Sequence, residues 1–306
     1  MLTLAAFALL GARPAAAFCR STTVAAPVEW DPAALGCFAE GVPLLWRSRC
    51  LTYALQENGT RAFSFETARA VTAAAFAAWG NTRCAGAAPS LLVREREPVA
   101  CNELQYNQRG WPNANVVLFR DDDWPGAGGA FTVALTTVSF DTRTGEIYDA
   151  DIELNSADHT FAVGDSISND AFDYASVITH EIGHFLGIAH SADEDATMNR
   201  DYGPGETTLR DLSADDGAAL CAVYPPSGVR VLAGGAPFVA TCNPEPNGGF
   251  TAACVPAGSD AGPPPGSGGC HLAPGVRREG CGGGVLAILA LAARRRPGAA
   301  APAQRP

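Results

Sequence analysis

HEIGHFLGIAH, from His180 to His190, gathers three of the chain's five histidines into one short run. His180 and His184 are four apart, so on a helix their imidazoles share one face a turn apart, the spacing that two ligands of one tetrahedral zinc ion require. Glu181 follows the first of them and projects beside that face without having to bind. A carboxylate there can take a proton from water activated by the metal. Gly187 permits a backbone turn that an ordinary residue would resist, which lets the chain return from outside the helix and deliver His190 as a third nitrogen. Three protein ligands leave a fourth position open, as in catalytic rather than closed structural zinc sites. Ordinary helix-face histidines would have to cluster here by accident, with only His159 and His271 elsewhere in the chain.

Around this run, Asp173 to Phe185 reads as a helix that ends at Gly187. Upstream, Ser64 caps a helix over Phe65 to Trp79, with Ala70, Ala74, Phe76 and Trp79 along one stripe and Gly80 as its stop. Leu51–Leu55, Leu91–Val93, Val116–Phe119, Ala130–Phe140 and Ile147–Leu154 read as strands between Gly, Pro and Asp clusters. Downstream, the capping pattern from Ser213 to Asp216 announces a third helix, and Pro225 with Pro226 closes the unit. The expected organisation is a signal peptide at 1–17, a short irregular segment at 18–43, one α+β domain at 44–226, a small cysteine-containing segment at 227–256, a Gly/Pro-rich linker at 257–269 and a tail at 270–306.

The ends carry sorting signals. MLTLAAFALLGARPAAA, residues 1–17, is an apolar run closed by Ala15 and Ala17, the pattern of a secretory signal cut before Phe18. The tail holds Cys281, the apolar run GGGVLAILALAA over 282–293, and then Arg294, Arg295 and Arg296. As a helix that run rises about 18 Å, short of the ~30 Å hydrocarbon core, so membrane contact is expected to be transient. The order of Cys, apolar helix and Arg cluster resembles the myxobacterial-type C-terminal sorting tags, which implies export and sorting machinery as partners. Ten cysteines without a CxxC pair read as disulfides in an exported chain. The cheapest local pairs are Cys84 with Cys101 and Cys242 with Cys254, while Cys19, Cys37, Cys50 and Cys221 can pair in several ways. The net charge of −11 becomes more negative once the Arg-bearing ends are set aside, which argues against a nucleic-acid binder.

With Ser191 after the third histidine and Met198 eight residues beyond it, Leu51 to Pro225 resembles the metzincin metallopeptidases and, within them, the matrixins, the matrix metalloproteinase-like family. AFTVALTTVSFDTRTGEIYDADIELN, residues 130–155, is similar to that family's substrate-edge strand and the strand before its zinc helix, and LSADDGAALCAVYP, residues 212–225, to its C-terminal helix. The resemblance implies an α+β, metzincin/matrixin-like catalytic domain: a twisted, mixed five-stranded sheet with three helices and a cleft between two subdomains. It implies one catalytic zinc on His180, His184 and His190, Glu181 as general base, and structural support from Gly187, Met198 and Tyr202. At the specificity wall, Asn199-Arg200-Asp201-Tyr202 keeps the last tyrosine of the family's Tyr-Pro-x-Tyr and lacks its proline. With only His159 left for a second zinc site, calcium is the structural ion expected. Its oxygen donors would be Asp121, Asp122 and Asp123, and the alternating Asp149, Asp151 and Glu153. Alternating acids on a strand also suit a solvated face. Asp215 and Asp216 either tie the last helix to the Met198 turn or simply cap it, and Cys50 reads as a disulfide partner rather than a zinc blocker.

The expected function is that of an exported, monomeric zinc endopeptidase, secreted or at the cell surface, acting on protein or peptide substrates that pair in extended form with the edge strand. Two alternatives use the same residues: a surface-displayed, zinc-stabilised binding module without general proteolysis, in which Glu181 has no purpose, and a peptidase confined to one partner or to itself.

Overall fold

The helix stripes and the apolar strand positions need a common interior, and a computed structural model shows how they find it. The structure describes residues 18–27, 29–100, 103–104, 114–125 and 131–245, with the backbone of 283–288 and 292–293. The expected signal peptide and the 257–269 linker lie outside the described residues. In chain order the strands are β1 (Cys19–Arg20), β2 (Leu45–Trp46), β3 (Cys50–Leu55), β4 (Leu92–Glu95), β5 (Val116–Phe119), β6 (Ala134–Asp141), β7 (Glu146–Leu154), β8 (Phe161–Ala162), β9 (Phe172–Asp173), β10 (Ile188–Ala189), β11 (Asp201–Tyr202), β12 (Val229–Arg230), β13 (Phe238–Val239), β14 (Gly283–Ile288) and β15 (Ala292–Ala293). The helices are α1 (Pro32–Leu35), α2 (Phe65–Gly80), α3 (Tyr174–Phe185) and α4 (Ala214–Val223).

The main sheet is ordered β14-β6-β7-β5-β3-β4, with β2 also on β7. It is mixed: β7, β5, β3 and β4 pair in parallel, and β6 runs antiparallel to β7. Its seven strands exceed the expected five, because the two-residue β2 joins β7 and the tail contributes β14. The helix count is also higher than expected, since Asp31 caps an extra single turn, α1, that starts at Pro32. The tail's apolar run was expected to be helical, yet Gly283–Ile288 is a strand. Glycines at 282–284 disfavour a helix, Val285 and Ile288 suit extended backbone, and β6 offers an edge that satisfies the segment's peptide groups.

Val117, Phe119, Val138, Ile152 and Leu154 of the sheet are buried in one core with Phe76, Trp79, Ile178, Ile182 and Phe185 of α2 and α3. Two polar contacts fix the helices to each other. The Trp79 indole N–H donates to the Thr179 carbonyl at 2.9 Å, and the Thr72 and Tyr174 hydroxyls lie 2.6 Å apart.

Three disulfides form among the described residues: Cys19–Cys37, Cys50–Cys242 and Cys84–Cys221. The expected local pairs Cys84–Cys101 and Cys242–Cys254 are therefore not made. Folding brings Cys84 to 5.4 Å from Cys221 on α4, and Cys242 to 4.7 Å from Cys50 at the start of β3, measured between Cα atoms, and this proximity outweighs nearness in sequence. Cys101 and Cys254 lie outside the described residues. The segment after Pro226 folds back as the β12–β13 hairpin, and Arg230 anchors it by donating to the carbonyls of Ser48 at 2.7 Å and Ser90 at 2.6 Å.

Candidate metal and catalytic centre

α3 starts at a polar lock. The Asp173 side chain accepts from the Ser176 backbone N–H at 2.9 Å and from its hydroxyl at 2.8 Å, and the Arg210 guanidinium grips both carboxylate oxygens at 2.6 and 2.7 Å. The helix ends before Gly187, whose φ of +80° is one that L side chains rarely adopt, and a Cβ there would sit 2.9 Å from the Leu44 carbonyl oxygen. Beyond this turn β10 pairs with β1, and the chain comes back to bring His190 beside the two helical histidines.

The three imidazoles converge. Nε2 of His184 lies 3.1 Å from that of His180 and 3.2 Å from that of His190. His180 Nδ1 donates to the Thr197 carbonyl at 2.7 Å and His184 Nδ1 to the Ile188 carbonyl at 2.8 Å, which turns both Nε2 lone pairs toward the common point. Burial first, then the neighbouring imidazoles, hold His180 and His190 well below the usual histidine range, and burial pushes His184 down to about 4. All three are thus kept in the neutral, metal-ligating form. Among the described residues they are the only group of three or more His, Cys, Asp or Glu side chains placed to share an ion. Three neutral nitrogens are a donor set that fits zinc, and a three-residue set is the number that catalytic zinc sites draw from the protein.

Glu181 is fully buried, and its Oε2 accepts from the Thr136 hydroxyl of β6 at 2.6 Å. Thr136 escaped the sequence reading because no local pattern links it to a residue 45 positions away. Gly183, inside the histidine motif, was also passed over. A Cβ there would lie 2.1 Å from the sulfur of Met198 and 2.9 Å from the Trp79 ring, so the buried methionine packs directly against the helix backbone. The Met198 turn is tied to α4, where Asp216 accepts from the backbone N–H groups of Thr197 at 2.8 Å and Met198 at 3.0 Å while also closing the capping box on Ser213. The two roles weighed for Asp216 therefore coexist, and Asp215 accepts from the Ser191 hydroxyl at 2.6 Å. Tyr202 is buried on β11, with its ring 6.1 Å from that of Phe172.

The acids expected to hold calcium do not gather. Asp121 accepts from Thr60 at 2.8 Å, Ser156 at 2.5 Å and the Arg61 backbone at 2.6 Å; Arg61 pairs with Asp122 at 2.7 Å; Glu153 pairs with Arg120 at 2.6 Å. Asp149, Asp151 and Glu153 do not form a solvated face either, since all three are buried. Asp151 accepts from the Val116 N–H at 2.7 Å, whereas Asp149 keeps a buried Oδ1 without a partner, and burial together with the neighbouring Asp151 raises its carboxyl well above the usual range.

The sequence profile of the matrixin family matches residues 45–225. Metalloendoproteinase 1-MMP of Arabidopsis thaliana is 40% identical over 79 residues, 25% of this chain and 21% of that protein. Matrilysin of Homo sapiens is 34% identical over 95 residues, 26% of this chain and 36% of that protein. The chain thus covers about a fifth and about a third of these two relatives.

Proposed function

The chain belongs to the matrixin family, and from that premise we propose that it is a zinc-dependent endopeptidase that hydrolyses peptide bonds of extended polypeptides, with Glu181 as general base. The observation that carries the proposal is the convergence of three neutral imidazoles with a carboxylate one residue along the same helix, oriented by Thr136. His180, His184 and His190 would hold zinc through Nε2, and the ion would supply Lewis acidity to a scissile carbonyl and to water. Glu181 takes a proton from water on one side of the site and returns it to the leaving amine. Thr136, donating to Oε2, holds the carboxylate in one orientation during both transfers. Gly187 and Met198 keep the third ligand and the floor of the site in register, and Tyr202 forms part of the wall facing the substrate side chain.

Disulfides in the fold support secretion or display at the cell surface, and no helix among the described residues is long and apolar enough to cross a membrane.

The test is cleavage of unfolded casein and of a mixed peptide library by the zinc-loaded chain, before and after chelation, beside Glu181→Ala. Fragments that require both the metal and Glu181 are expected. Identical digestion by the wild type and Glu181→Ala would remove Glu181 from the mechanism, and with it the proposal.

A further inference from the structure

A sheet edge can pair with one strand at a time. One edge of β6 is taken by β7. The other is the edge on which an extended substrate would lie, and in the structure β14 pairs with it antiparallel over six positions, from Gly283 opposite Asp141 to Ile288 opposite Thr136. The last of these partners is the threonine whose hydroxyl orients Glu181. Four residues further along the tail, β15 pairs in parallel with β11, placing Ala292 and Ala293 opposite Asp201 and Tyr202 in the wall that follows Met198. β14 and β15 thus pair with two separate strands, β6 and β11, of the peptidase domain. In the same conformation His180, Glu181 and His184 are 0% exposed and His190 is half-buried.

We propose that β14 is a built-in inhibitor that occupies the substrate edge of β6 and keeps the peptidase latent until the tail is released or removed. The inference rests on the peptidase reading. β-Augmentation by a substrate uses main-chain groups of the edge strand, and β14 uses those of the same edge, so the two exclude each other by geometry. Tethering favours the tail: a segment on the same chain is present at an effective concentration set by its connection and not by dilution, so a free peptide has to displace it to reach the edge.

In an antiparallel pair, successive residues point their N–H groups alternately toward and away from the partner strand. Replacing two neighbours, Val285→Pro with Leu286→Pro, in the otherwise complete chain therefore removes at least one ladder donor, whichever of the two faces β6. Val285→Ala with Leu286→Ala keeps both N–H groups and serves as the control. Two readouts are taken on zinc-loaded protein: kcat/KM on a fluorogenic peptide library, and hydrogen exchange of the β6 amides that face away from β7. The proline pair is expected to cut at least tenfold faster than the wild type and to exchange those amides faster, with α3 amides unchanged and the alanine pair like the wild type. Equal cleavage by an active wild type and the proline pair, or unchanged β6 exchange, overturns the inference. Released β6 amides with no cleavage by any variant would show that the strand pairs as described but guards no peptidase, which overturns the inhibition and the proposed function together.

Discussion

Thr136 is what distinguishes Glu181 from a carboxylate that is merely buried, because its 2.6 Å hydrogen bond to Oε2 fixes the orientation of the carboxylate. Glu181→Gln keeps the shape and removes the base, so kcat should fall by about 10²–10⁴ with zinc content unchanged by metal analysis; a fall accompanied by loss of zinc would assign Glu181 to the metal instead. Thr136→Val keeps the volume and removes the donor. It should lower kcat several-fold and leave KM and zinc content alone, and a change in KM only would place Thr136 in substrate binding. Asp149 poses the opposite problem. Its carboxyl is raised by burial and by Asp151, so the folded protein holds a proton that the unfolded chain releases above its ordinary carboxylate pKa. Stability is therefore lost as pH rises through the window between the unfolded and folded values. In calcium-free protein Asp149→Asn should raise the melting temperature at pH 7, by an increment that shrinks as pH falls below 4. Thermal melts across that range check it.

At the scale of elements, α3 is positioned by its two ends and its underside, and these differ in how far sequence exposes them. The ligand spacing and the Gly187 turn follow from local periodicity, so the helix, His180, Glu181, His184 and His190 could be picked out before any coordinates. The lock at the other end could not, since Arg210 lies 37 residues from Asp173 and looks like any surface arginine until a 3-10 turn at Thr208–Arg210 brings it in. The small residue at 183 was likewise mute until Met198 appeared against it. Arg210→Ala leaves the fully buried Asp173 carboxylate without its cation. Breaking a buried pair costs about 3–5 kcal/mol, and because the arginine side chain is 28% exposed the lower end applies. Denaturant melts should show that loss along with weaker zinc retention. Gly187→Ala should free His190 by straining the +80° backbone and pressing on Leu44. Zinc affinity, read by competition with a chromophoric chelator, should fall more than global stability does, whereas equal losses would make Gly187 a folding residue only.

Across the whole molecule, the parts that sequence concealed are those closed by long-range contact: the disulfides spanning 192 and 137 residues, and a tail whose apolar run is equally compatible with a helix until β6 offers it a partner. The histidine cluster also acts at this scale, because it links folding to both protons and metal. Unfolded imidazoles titrate near 6.5, whereas burial holds His184 at about 4. In metal-free protein this histidine's contribution is fully present above 6.5 and is lost as pH falls through that value toward 4, amounting to about 3 kcal/mol. His180 and His190, also depressed, add to the loss in the same direction. Zinc at ~1,000 times its Kd stabilises by about 4 kcal/mol. For a domain of this size that raises the melting temperature by roughly 8–16 °C. Melts of zinc-loaded and chelated protein should therefore fall together between pH 6.5 and pH 5 while keeping that difference, and converge only as pH drops through about 4, where protons begin to compete with the ion for His184. A gap that closes already near pH 6.5 would mean that the folded imidazoles are not held neutral by burial.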